Sequence, residues 1–309
     1  MHMDRKEFLR QVAAWSAGAC FVPLLRVDPL GADEKPAGQS TLAVAKGKDY
    51  EALVAKVLEP LGGIKAFVKP DARVVVKPNI GWDRKPELAG DTHPDVVKAV
   101  VKLALGAGAK QVLVFDRSVN EERRCYANSG IQAAVESIKD NRVQCLFCDP
   151  KKYVPVDIQK AKSLLKFAFY KDAMETDCDC YINLPIAKHH SIAKLTLGLK
   201  NVMGVVGGNR GEIHQKNIHQ RIADLNLVIR PKLTIMDATR ILLRGGPSGG
   251  NPADVKVLDT LVASADTVAV DAYSVGFFDM KPEDIGSIAA AKELGLGESD
   301  LSKVKVIQA

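Results

Sequence analysis

From residue 41 onward the chain alternates two kinds of apolar pattern, and no other feature narrows its folds as far. Short runs such as VVVKPN (74–79), QVLVFD (111–116), CYINLP (180–185) and LTIMDA (233–238) are mostly apolar until their last residues. A strand shows that pattern when both its faces are buried, as in a sheet covered on two sides. Between them lie stretches such as DYEALVAKVLEPLG (49–62) and HPDVVKAVVKLALGAGA (93–109), whose apolar residues recur at helical spacing. Pro94 suits the first turn of the second helix, and Gly106 and Gly108 suit its end. Strands alternating with helices predict an α/β fold with a largely parallel sheet flanked by helices, either one domain over 41–309 or two packed lobes dividing near residue 150. The same spacing predicts helices over residues 127–138, 192–203 and 218–229, and a strand over RVQCLFC (142–148).

In open sheets of this kind ligands sit at the carboxyl ends of the strands, where loops and helix N-termini present unpaired amides. The apolar runs finish there in Lys77 and Asn79, in Asp116, in Asn183 and in Asp237. If these strands are parallel neighbours, the polar residues face one crevice. The segment INLPIAKHHSIAKLTLGLKNVMG (182–204) supplies a second wall, with Lys188, His189, His190, Lys194, Lys200 and Asn201 and no Asp or Glu. Cations without acids ask for an anion. On a helix, His190, Lys194 and Asn201 fall near one face, and Thr196 and Lys200 share another. The glycines of the next loop, GVVGGNRGEIHQ (204–215), let backbone amides approach an anion, and Arg210 offers two parallel bonds to a carboxylate or phosphate. The candidate binding residues for a small anionic substrate or cofactor are thus Lys77, Asn79, Asn183, Lys194, Lys200, Asn201 and Arg210. Lys188, His189, His214, Asp116 and Asp237 are the candidate catalytic groups.

Metal chemistry has two candidate sets. Cys145 and Cys148 form a CxxC and Cys178 and Cys180 a CxC, together four thiols for a divalent metal or an iron–sulfur cluster. Buried apolar cysteines and, in an exported protein, disulfides are the competing readings. In an extended strand Cys178 and Cys180 share a face. His189, His190 and His214, with Asp116 or Asp237, are the second set. There is no GxSxG elbow, so a serine nucleophile has no support.

The chain carries 43 Lys and Arg against 37 Asp and Glu, without a dense basic run or a basic–aromatic stripe, which argues against nucleic acid as a partner. Residues 1–40 differ in character: a charged head, an apolar run from Val12 to Leu25 too short to span a bilayer, and the linker GADEKPAGQS. Arg5-Lys6-Glu7-Phe8-Leu9 resembles a twin-arginine export signal with lysine for the second arginine. That predicts a periplasmic or cell-envelope protein with no stable membrane span in the mature chain. The alternative is an amphipathic N-terminal helix on a cytoplasmic protein.

KPN after a strand, THPDVVKAVVKLALGAGAKQVLVFD, the DCDCYINLPIAKHHSIAKLTLGLKNVMG block followed by Arg210 and His214, and ADTVAVDA at 265–272 form an ordered set. This set resembles the bacterial and archaeal family labelled domain of unknown function 362, from about residue 41 to about residue 290. The resemblance implies no settled reaction. It implies a frequent ferredoxin-like segment with two iron–sulfur clusters, and a distant kinship of fold with the nickel-dependent lactate racemase. This chain has no repeated CxxCxxC run, so a redox role would need a partner protein. Two classes of function follow. One is an enzyme, redox or isomerase-like, acting on a small anion; the other is a non-catalytic cell-envelope protein that captures an anion or metal. Strand-end aspartates favour the enzyme, because a simple anion carrier would exclude carboxylates.

Overall fold

The computed structural model describes residues 39–309, so the leader-like segment lies outside the described residues. The strands are β1 (Thr41–Lys46), β2 (Arg73–Pro78), β3 (Gln111–Val114), β4 (Val143–Cys145), β5 (Tyr153–Asp157) and β6 (Lys166–Tyr170), then β7 (Cys180–Leu184), β8 (Ile186–His190), β9 (Lys194–Thr196), β10 (Leu233–Leu242), β11 (Val255–Ser264) and β12 (Lys305–Gln308). The helices are α1 (Tyr50–Leu58), α2 (Pro94–Gly106), α3 (Glu122–Asn128), α4 (Ile131–Glu136), α5 (Gly198–Asn201), α6 (Ile218–Leu225), α7 (Thr267–Ser274) and α8 (Gly286–Glu293). β5 and β6 form a separate hairpin. The other strands make one sheet in the order β12-β1-β11-β10-β7-β2-β3-β4, with β8 attached to β10 and β9 to β8. Only β9 and β11 run against the rest, so the sheet is largely parallel. Strands from before and after residue 150 interleave: β1 lies between β12 and β11, and β2 lies beside β7.

The uninterrupted apolar runs are explained by two cores. Val75, Tyr181 and Met236 face one, while Val74, Val76, Ile182 and Ile235 face the other. α1–α4 cover the second face and α5–α8 the first, together with the β5–β6 hairpin. Each fully buried Val, Leu or Ile contributes about 1.5–3 kcal/mol. α2 shows the local logic: Pro94 opens it, His93 Nδ1 accepts the Asp95 amide at 3.2 Å, and Val96, Val97, Val100, Val101 and Ala104 bury one stripe.

The sheet forks at Pro185. β2 pairs with β7 as far as Pro78 opposite Leu184. The next residue, Pro185, has no amide proton to extend that ladder, and its carbonyl accepts the Asp237 amide at 2.8 Å instead. Beyond it β8 follows β10, from Ile186 opposite Asp237, while the chain after β2 turns away.

The apolar spacing of residues 192–203 predicts a helix, and there the structure differs. β8 reverses at Ser191–Ala193 into β9, with His190 opposite Lys194 and Lys188 opposite Thr196; only Gly198–Asn201 is α-helical before a 3-10 turn over Val202–Val205. A side chain makes the reversal: His190 Nδ1 accepts the amides of Ile192 at 3.1 Å and Ala193 at 3.2 Å.

Candidate functional site

A cavity of about 510 Å³ opens in the fork, at the carboxyl ends of β2, β3 and β8. The β8–β9 hairpin, α5 and the turn Arg210–His214 form its other side. It brings together Lys77, Asn79, Asp116, Lys188, Lys200, Asn201, Arg210 and His214 from the sequence-derived set. Trp82, Arg117, Thr196 and His190 join them, the last in place of its neighbour His189.

The floor is a closed polar network. Lys77 Nζ donates to the Asn201 carbonyl at 2.7 Å and to Asn201 Oδ1 at 2.8 Å, and lies 2.9 Å from Asp116 Oδ1 as a buried ion pair. Asp116 Oδ2 accepts the Ile80 amide at 2.6 Å. Asn201 is the hub: its Oδ1 also accepts from Asn79 Nδ2 at 3.1 Å, and its Nδ2 donates to Asn183 Oδ1 at 2.8 Å. Burial pushes the Lys77 ammonium down and Asp116 pushes it back up. Gly204 closes this floor, because a Cβ there would stand 1.7 Å from Asp116 Oδ1 and 2.4 Å from Lys77 Nζ.

Lys188 is buried as well. Its Nζ donates to Asn79 Oδ1 at 3.1 Å and to the Gly90 carbonyl, and lies 6.0 Å from the centre of the Trp82 ring. Burial lowers its pKa and raises that of Asp91, whose Oδ1 accepts the Trp82 amide at 3.0 Å while Oδ2 has no partner. Asp91 lies in the loop DTHP and carried no sequence signal beyond that loop's place before a helix.

The opposite wall is less satisfied. Lys200 is half-buried; burial first, then Lys188, Arg210 and Lys77, push it down to about 7, and no carboxylate offsets them. His190 is buried and held down at about 3 by burial and by Lys200. His214 is lowered by the same two causes. The two imidazoles stack with centroids 5.7 Å apart and planes at 14°. The contacts of their Nδ1 atoms call for opposite tautomers. His190 Nδ1 accepts the turn amides, which puts its proton on Nε2, whereas His214 Nδ1 faces the Arg210 carbonyl at 3.3 Å, donates to it and leaves Nε2 bare.

α5 is set by a distant helix. Asp271 in α7 accepts the amides of Gly198 at 2.7 Å and Leu199 at 2.9 Å, which fixes the turn that carries Lys200 and Asn201. A Cβ on Gly198 would stand 2.8 Å from Asp271 Oδ1. Asp266 caps α7 itself by accepting the Ala269 amide at 3.0 Å, so both aspartates of ADTVAVDA have structural work.

Arg210 lines the cavity, but its two terminal nitrogens donate to the carbonyls of Arg117 and Ser118 at 2.5 Å, clasping the loop after β3 rather than presenting an open fork. Four nominated residues stand off the cavity lining. His189 Nδ1 accepts the Gly246 amide at 3.1 Å. Asn183 lies beneath the floor and donates to the Gly198 carbonyl at 2.9 Å. Lys194 is exposed on the far side of the hairpin, at φ 64°. Asp237 is wholly buried: Arg240 Nη1 pairs with its Oδ2 at 2.6 Å, the His93 amide donates at 2.7 Å, and Thr239 donates to Oδ1.

The cysteines do not assemble. β7 begins at Cys180, so Cys178 precedes the strand and the two do not share a face: Cys148 and Cys178 pack in one core, Cys145 and Cys180 in or against the other, with the sheet between. All four are free thiols, and burial pushes each up to about 12, which disfavours the thiolates that metals bind. Among the described residues no three His, Cys, Asp or Glu side chains lie together closely enough to hold a metal ion, the histidine–aspartate set included.

Comparison with known proteins gives the chain its relatives. The thylakoid-associated protein sll1697 of Synechocystis sp. (strain ATCC 27184 / PCC 6803 / Kazusa) is 30% identical over 268 residues, 83% of this chain and 80% of that one. A crystal structure of a Thermotoga maritima protein matches at 12% identity with a TM-score of 0.41, over 80% of this chain and 60% of that one. Among the described residues no helix is long and apolar enough to cross a membrane. The model of one family, described as a domain of unknown function, matches residues 74–276, across the floor, the hairpin and the helix that anchors α5: the chain belongs to the domain of unknown function 362 family.

Proposed function

We propose that the cavity binds a small anionic substrate and moves a proton on it, an isomerase-like acid–base reaction in which Lys200 holds the anion, His214 Nε2 takes the proton and His190 Nε2–H donates a hydrogen bond. The observation that carries this reading is the pair of imidazoles in opposite tautomers beside a lysine with no carboxylate partner. Burial keeps both rings neutral near pH 7, the state in which one accepts and the other donates. A bound anion favours the charged form of Lys200 and raises the basicity of His214. Binding near pH 8 therefore takes up a proton, which calorimetry in buffers of different ionisation heat measures. Small hydroxy and oxo carboxylates incubated with the protein in D2O test the chemistry: the wild type exchanges one carbon-bound hydrogen, and His214→Asn does not.

A second reading, a non-catalytic anion-binding protein of the cell envelope, is favoured by the Arg5–Leu9 head. A relative named as thylakoid-associated is compatible with association of this kind. Binding with no exchange in the wild type would select it, and fractionation of cells expressing the full chain tests the location.

A further inference from the structure

We propose that the ligand of this cavity is an amphiphile: one carboxylate or phosphate head on an extended apolar or aromatic body. The inference rests on the anion-binding reading above and adds what the rest of the ligand must be.

The cavity is polar at its floor and apolar towards its mouth. The charged and amide groups that line its depth, Lys77, Asp116 and Asn201, are buried. The lining also includes Trp82, Val119, Ile192, Met203 and Pro247. Of these, Val119 is 57% exposed and Ile192 55% exposed. Apolar side chains exposed singly are ordinary on a folded chain, but several of them gathered at an opening mark a binding surface. Among the described residues only four large apolar side chains are more than half exposed, and two of them ring this opening. They come from different elements: Val119 from the loop after β3, and Ile192 from the tip of the β8–β9 hairpin. Nothing in the sheet requires an isoleucine at that tip, since the reversal is held by His190 Nδ1 and backbone amides.

A short, fully hydrated anion would use Lys200 and the histidine wall and leave this rim wet. An anion with an apolar body covers both, and a cavity of about 510 Å³ is of the size that encloses a drug-sized molecule. The lysine and histidines then fix the head, and the rim selects the body.

The test is calorimetric titration of the full chain with n-alkyl carboxylates from acetate to decanoate, with a parallel series of n-alkyl phosphates to separate the two heads. Affinity is expected to rise about fourfold per added methylene, the fold-change that burying one CH2 corresponds to, until the cavity is full. Val119→Ser and Ile192→Ser flatten that rise without weakening acetate or methyl phosphate, whereas Lys200→Gln weakens every member by a similar factor. A flat series that still depends on Lys200 overturns the amphiphile and leaves the anion-binding reading standing. A rise that neither rim substitution reduces overturns the assignment of the rim. Binding that is indifferent to Lys200→Gln overturns the anion-binding reading itself.

Discussion

Lys77 and Lys200 enter the same cavity from opposite sides and are opposites chemically. Lys77 has an ion-pair partner, two acceptors on Asn201 and a glycine pressed over the pair. Lys200 has three cationic neighbours and no carboxylate. Both are drawn out of bulk water, Lys77 wholly and Lys200 by half, yet one charge is offset from within the chain and the other is not. The difference teaches that a lysine drawn into a cavity can be a rivet as well as a ligand group. Whether its partners are complete separates the two cases.

The largest expected effects strike the riveted side. Lys77→Met leaves Asp116 buried without its cation, which costs about 3–5 kcal/mol in urea unfolding. Gly204→Ala, which drives a methyl group into the same pair, is comparably damaging. If either is tolerated within 1 kcal/mol (about a fivefold change in the folding equilibrium), the distinction between the walls fails. Next comes Asp271→Ala, which strands two buried amides at the start of α5 and costs about 2–6 kcal/mol, at 1–3 for each unmade bond. It should also weaken ligand binding, because the turn it holds carries Lys200.

The histidine wall gives a pH signature. His190 has its native pKa depressed to about 3 from an ordinary 6.5, so the unfolded chain binds more protons between these values. Its contribution is complete above pH 6.5 and is lost as the pH falls through that window, by up to about 1.4 kcal/mol per pH unit. His190→Asn keeps an acceptor for the turn amides and should flatten that part of the stability–pH curve. Lys200→Gln is the mirror of Lys77→Met: stability unchanged within about 0.5 kcal/mol or improved, because like charges are relieved, but anion affinity lowered about tenfold or more. The smallest effect belongs to Lys194→Ala, on the exposed side of the hairpin, within about 0.5 kcal/mol in stability and without change in binding.

Much of the fold was legible, because burial on both faces writes itself into Val74–Val76 and Cys180–Ile182 as unbroken apolar runs. The polar strand ends that meet in the cavity were legible for the same reason: Lys77, Asn79 and Asp116 interrupt a pattern that needs no polar group. Asp237 interrupts it equally well but answers to Arg240, three residues on across a bulge, and only the folded chain shows that pairing. The hairpin at 186–196 was hidden because its turn has neither glycine nor asparagine; an imidazole does their work. With Ile192, Leu195, Leu199 and Met203 at helical spacing, local pattern pointed one way and the tertiary contacts another. The cysteines misled because Cys178 stands two residues ahead of β7, where the alternation of a strand no longer holds, and it packs on the other side of the sheet.

The fork at Pro185 has a mechanical side. An opening framed by two diverging strands of one sheet has its calibre set by hydrogen-bond ladders and twist, so it resists adjustment in a way that a gap between loops does not. The width open to a guest is then set upstream, by residues that never meet it. Pro185, wedged between β7 and β8, acts as the gauge block of the site, and replacing it would retune the width of the slot without removing any group that lines it.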